Sequence, residues 1–151
     1  MKRVGLNGKL YRGTAGSTAA TEVLNCVDLT LSLSKAMADI TTRGSGGWRQ
    51  KLSTVKECEL EWKMYVDPED ADYAAIIAAW HSGTPLALKV SPTGNGGLDG
   101  DFEITDISEE QPLEDAMAVT VKAEPTNIGG TNGRNPTWTA PTEPTTVTPG
   151  N

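Results

Sequence analysis

Two stretches of alternating apolar and polar residues constrain this chain more than any other feature. In residues 22–34, Val23, Val27, Leu29, Leu31 and Leu33 mostly alternate with Asp28, Thr30, Ser32 and Ser34. In residues 54–67, Cys58, Leu60, Trp62, Met64 and Val66 alternate with Glu57, Glu59, Glu61 and Lys63. Successive side chains of a strand point to opposite faces, so this period predicts two long strands, each with one face on a core and one in water. Carboxylates two residues apart on one strand lie about 6.5–7 Å from each other. Three in a row are tolerated only where that face is wet.

The remaining elements follow from local signals. Residues 8–13 read as a short edge strand, followed by a small-residue turn, and residues 1–21 are expected to form a loosely held arm. Residues 35–53 lose the alternation and gather Gly44, Gly46 and Gly47, which predicts a long loop, and Trp48 within it needs somewhere to be buried. Asp67 can cap a helix over 68–82, with Pro68, Glu69, Asp70 and Asp72 in its first turn. Tyr73, Ile76, Ile77 and Trp80 then form one apolar stripe for packing on a sheet, and Gly83 and Pro85 end the helix. Strands are expected at 85–91, 99–107 and 117–124, the first two joined by a turn through Gly94, Gly96 and Gly97. The fold class is mainly β (α+β), a sandwich or barrel of about five to seven strands with one flanking α-helix. Residues 126–151 form an extension rich in threonine and proline, which leaves 22–125 as the domain.

At 151 residues the chain is one folding unit, and its net charge of −7 argues against a dedicated nucleic-acid binder. The charge is unevenly placed. Residues 1–56 carry nine basic and three acidic groups, whereas residues 57–124 carry three basic and sixteen acidic groups. Ordinary solvated faces account for this, and so do two surfaces of opposite sign that dock between copies. No apolar run is long enough to span a bilayer, so neither membrane anchor nor signal peptide is expected. Cys26 and Cys58 lack metal or redox spacing and read as free thiols. His81 stands alone at the helix end, and no motif for a nucleophile, a phosphate cradle or a metal is present. Paired carboxylates for hydrolysis could be drawn from Glu57, Glu59, Glu61, Asp101 and Glu103, but no apolar pocket is evident to raise one pKa. No catalytic residue, metal or cofactor is expected.

The order of elements resembles that of the tail tube (major tail) proteins of long, non-contractile tailed bacteriophages. The resemblance covers roughly residues 22–124 and is carried by several stretches. These are the strand from Val23 to Ser34, the loop with Ala38-Asp-Ile-Thr-Thr-Arg43 and Gly47-Trp48, the strand after it, the helix with its Asp70-Ala-Asp-Tyr73 start, Gly83-Thr-Pro85 leading into a strand, and Gly100-Asp-Phe-Glu-Ile-Thr105. It implies a structural virion protein, assembled in the bacterial host cytoplasm, whose hexameric rings stack into a hollow tube. Through that tube DNA passes without specific binding. Glu57, Glu59, Glu61, Asp101 and Glu103 are then candidates for the lumen. Met37, Asp39, Arg43, Trp48, Arg49 and Lys51 are candidates for a loop reaching the adjacent ring. Partners implied are the chain itself and tail initiator, tape-measure and terminator proteins. A β-sandwich binding or adhesion module, a related secretion-system tube subunit and a small hydrolase are the other classes considered.

Overall fold

The structure, a computed structural model, describes residues 2–127 and 133–142. It contains strands β1 (Lys9–Thr14), β2 (Thr21–Glu22), β3 (Cys26–Asp39) and β4 (Lys51–Tyr65), then helix α1 (Ala71–Ser82). Strands β5 (Leu86–Ser91), β6 (Gly97–Glu110), β7 (Ala118–Pro125) and β8 (Thr137–Thr139) follow. All eight belong to one antiparallel sheet of order β2-β1-β5-β6-β7-β4-β3, with β8 added along β6. The sheet curls. Leu10 of β1 and Leu60 of β4 lie four strands apart in this order yet share one core with Leu88, Phe102, Ile104, Val119, Val121 and Ile76 of the helix. The expected mainly-β architecture with a flanking helix is therefore present as a single curled sheet closed over its own apolar face.

The two alternating stretches become β3 and β4. Leu60, Trp62 and Met64 are buried, while Glu59, Glu61 and Lys63 between them stay half-exposed. The strands run further than expected. Leu31 pairs with Leu60, and the ladder continues through Ser34–Glu57 to Asp39–Lys51, so the loop expected over 35–53 shrinks to a turn over 40–50. Periodicity is absent over 35–39 and 51–53 because that part of the hairpin extends past the core. With no buried face to select one, the alternation has nothing to enforce it.

The arm expected over 1–21 is also built into the sheet beyond its first residues. Six consecutive residues of β1 pair with β5, and Leu10 and Ala19 are buried. Helix α1 starts at Ala71 rather than Pro68. Asp70 is its cap, accepting from the Asp72 N–H at 3.2 Å, while Asp67 closes the preceding turn by accepting from the Glu69 N–H at 3.0 Å. Gly83 ends the helix at φ 69°, a conformation that favours glycine. Arg12 pairs with Asp72 and ties β1 to the helix start. Of the expected stripe, Ile76 is fully buried, Tyr73 packs partly against the core and Ile77 is half-buried. Trp80 is 46% exposed at the rim, its Nε1–H donating to the Thr105 carbonyl at 3.3 Å. Ala79 takes the inner position instead, since a small side chain lets the helix lie close to β6.

Part of the C-terminal extension is structured as well. Trp138 of β8 lies opposite Leu98 of β6. Asp101 holds this segment from beneath. Its carboxylate accepts from the Gly16 N–H at 3.0 and 3.1 Å, from the Arg134 N–H at 3.1 Å and from Arg134 Nε at 3.2 Å. Arg134 Nη2 also donates to Asp99 at 3.2 Å. Desolvation works against the Arg134 charge, but the hydrogen bonds and charges of Asp99 and Asp101 outweigh it and raise its pKa. The remainder of the extension, 128–132 and 143–151, lies outside the described residues. No described helix is long and apolar enough to cross a membrane.

Two stability predictions follow from this packing. Leu60→Ala, at a position with no exposure, should cost about 2–5 kcal/mol in urea denaturation. Asp101→Ala should cost about 3 kcal/mol, because it strands a partly buried guanidinium and two N–H donors. Added to Arg134→Ala it should be clearly non-additive, and additive losses would show that the two residues do not act as a unit.

Candidate functional site

Two surfaces stand out once the register is known. The first is the sheet face turned away from the core. Glu57, Glu59 and Glu61 of β4 stand opposite Ser34, Ser32 and Thr30 of β3, and Glu61 also faces Lys122 of β7. Across β7, Glu124 is directly opposite Glu103 of β6, and Lys122 is opposite Asp106. Six carboxylates of this stretch of sheet (Glu57, Glu59, Glu61, Glu103, Asp106 and Glu124) thus share one wall with the cations Lys63 and Lys122. The Glu103–Glu124 pairing is like-charged, an arrangement that costs stability unless water screens it. A shallow groove of about 390 Å³ lined by Ser32, Ser34, Lys56, Glu57, Glu59 and Glu124 opens on this wall.

Asp101 departs from the expected acidic set. It has the parity of Glu103, but it is 3% exposed and occupied by Gly16 and Arg134, so it faces protein rather than solvent. Alternation alone could not show this, because the residues that cover it come from distant parts of the chain. Glu124 belongs to the wall as well, although the sequence reading does not include it. Its signal was present, since Lys122 and Glu124 occupy the polar phase of β7.

The second surface is the projecting end of the β3–β4 hairpin. Its turn is built. The Gln50 N–H donates to Thr41 Oγ1 at 2.8 Å, the Ile40 N–H donates to the Gln50 carbonyl at 2.9 Å, and Thr42 and Ser45 cap a short 3-10 turn over Arg43–Ser45. Gly46 and Gly47 follow at φ 66° and 86°. Hydrogen bonds from the Thr41 side chain and backbone, helped by Arg49, hold the Asp39 carboxyl below its ordinary value. Arg49 Nη1 lies 3.0 Å from Asp39.

This turn does not bury its apolar residues. Trp48 is 76% exposed, and Leu33, Met37, Ile40, Leu52 and Val55 are exposed along the same arm. Arg43, Lys51 and Lys56 make no ion pair among the described residues. Met37, Asp39, Arg43, Trp48, Arg49 and Lys51 are therefore brought together on one arm, but they belong to an ordered hairpin and not to a structureless loop.

Burial, with a smaller contribution from Asp28, pushes the Cys26 thiol up to about 11. Burial raises Cys58 too, and both thiols are free. His81 stacks edge-on against Trp80 with ring centres 5.0 Å apart. Among the described residues no three His, Cys, Asp or Glu side chains are grouped to hold a metal ion.

Comparison with known proteins supplies the family. No curated protein matches the sequence. Among solved structures, the chain is similar to the tail of an empty gene transfer agent particle with C6 symmetry, at 16% identity and a TM-score of 0.75, over 92% of this chain and 100% of that one. It is also similar to the SPP1 tail tube, at 11% identity and a TM-score of 0.67, over 91% of this chain and 80% of that one. A third likeness is to the baseplate of the anti-feeding prophage, at 6% identity and a TM-score of 0.59, over 82% and 91%. At these identities the structures speak for the fold alone. The sequence itself matches the family described as phage tail tube protein over residues 9–126, which takes in β1 through β7. The chain therefore belongs to the phage tail tube protein family, and it is a structural component of the virion tail rather than an enzyme.

Proposed function

We propose that this chain forms hexameric rings that stack head to tail into the tail tube, a conduit through which DNA leaves the particle. The wall carrying Glu57, Glu59, Glu61 and Glu103 faces the bore, and the hairpin turn over 40–50 reaches the adjacent ring. The observation that carries the reading is the pairing of these two surfaces on one β3–β4 ladder. An acidic wall repels phosphate, and an apolar arm outside its own core lacks a partner that another copy can supply.

Ring closure has its own support. Strand β3 ends the sheet, so 14 residues, Cys26–Asp39, leave one side of their backbone without a strand partner among the described residues. Such an edge is a template for pairing with another chain. The C6 symmetry of the gene transfer agent tail, whose fold this chain shares, supports six copies per ring. A heterologous contact between rings repeats without closing, which gives a tube of open length. Tail initiator, tape-measure and terminator proteins are the partners that such a tube requires. DNA passes without specific contacts, because on this wall Lys63 and Lys122 are outnumbered by carboxylates and the net charge repels phosphate.

Two outcomes check this function. Reversing Glu57, Glu59 and Glu61 to lysine should leave tubes intact but slow or block DNA ejection from assembled particles, and unchanged ejection would remove the wall from the bore. Deleting residues 40–50, or making Trp48→Ala, should abolish or weaken tube formation in negative-stain micrographs. The Trp48 variant should keep the thermal stability of the isolated chain, since that side chain is already exposed.

A further inference from the structure

The tube reading leaves open what the hairpin turn meets on the next copy, and the strand register narrows the choice. Strand β4 has 15 residues between Lys51 and Tyr65, which sets its two ends about 46 Å apart. Lys51 adjoins the hairpin turn, whereas Tyr65 pairs with Ala118, where the turn between β6 and β7 (residues 111–117) returns. The two turns therefore occupy opposite ends of the sheet.

Those ends are opposite in charge. Residues 35–56 hold five basic groups and one acidic group, and residues 109–115 hold four acidic groups and no basic one. The Val66 N–H donates to the Met117 carbonyl at 3.0 Å, which brings the exposed Asp67 and Glu69 beside the acidic turn. Both ends keep charged groups without an ion-pair partner among the described residues. Arg43 and Lys51 at one end, and Glu110, Glu114 and Asp115 at the other, make no ion pair among the described residues. Each end also exposes an apolar centre, Trp48 at 76% and Leu113 at 100%.

We propose that the hairpin turn of one copy seats on the β6–β7 turn of the next, with Arg43 and Lys51 facing Glu110, Glu114 and Asp115 around a Trp48–Leu113 contact. The occupant of each surface is a second copy of this chain, and the contact rests on the tube reading above. Charge also sets its direction. Hairpin against hairpin would oppose cations, and acidic turn against acidic turn would oppose carboxylates, so only the head-to-tail arrangement joins unlike ends. A two-fold pairing of like ends is thereby disfavoured, as an extending tube requires.

The test is a charge swap in the full chain. One variant carries Arg43→Glu and Lys51→Glu, a second carries Glu110→Lys, Glu114→Lys and Asp115→Lys, and a third carries all five changes. Circular dichroism and thermal melting confirm folding of each, and light scattering with negative-stain microscopy reads assembly. Each partial variant should lose tubes while keeping rings, and the five-fold variant should regain tubes, because its ends are again unlike. Tubes that survive either partial variant, or that fail to return in the five-fold variant, would overturn this contact while leaving the tube reading standing. A wild-type chain that stays monomeric at every concentration would overturn both.

Discussion

The β3–β4 ladder is the element on which everything else depends, because it is longer than the core it serves. Over Leu60, Trp62 and Met64 one face is buried, and the hydrophobic effect fixes the register. Over Asp39–Lys51 and Met37–Ser53 the same two strands are held by backbone pairing and by a turn that satisfies its own polar groups. A two-stranded ribbon of that kind is marginal by itself in water. Here the buried half anchors it, so the projecting half can carry exposed Leu33, Met37 and Leu52 without collapsing onto the domain.

A second constraint comes from chain ends that cross the sheet. Asp101 gathers the β1–β2 turn, β6 and the C-terminal segment through four hydrogen bonds. Close backbone approach reinforces the joint, since a side chain at Gly100 would meet Pro136 at 2.8 Å. At the neighbouring turn Gly97, at φ 100°, faces the Val90 carbonyl so closely that a side chain there would collide at 2.0 Å. These positions fix where β8 lies relative to β6. They also explain why a carboxylate in the polar phase of β6 ends up inside protein.

Most of the framework was legible in the sequence because most of it is period-two strand over a single core. The positions of β4 and β7 follow from Trp62 and Val121 and their alternating neighbours to within a few residues. The polar wall was legible for the same reason, through Glu57, Glu59, Glu61 and Glu103. What was not legible shares one physical cause. Where a strand has no buried face, as over 35–39, side chains carry no phase, and only the hydrogen-bonding partner reveals the strand. Where a distant segment covers a residue, as Arg134 covers Asp101, local pattern assigns it to solvent. The helix start misled for a related reason, since Asp67 and Asp70 are equally able caps and the turn between them decided which one served.

The proposed end-to-end contact also bears on when copies of such a chain would stack. A single exposed ion pair contributes about 0–1 kcal/mol, and one buried aromatic contact adds a few more, against a cost of ordering and immobilisation that is of similar size. One hairpin on one acidic turn is therefore a weak contact between free copies. A ring presents all its hairpins at once, and the contacts after the first become intramolecular, so their energies add while most of the immobilisation cost is met only once. Stacking then depends steeply on ring closure. Under the proposed assembly, polymerisation would be suppressed while the edge of β3 is free and favoured once that edge is occupied, with no change of conformation required in the domain itself.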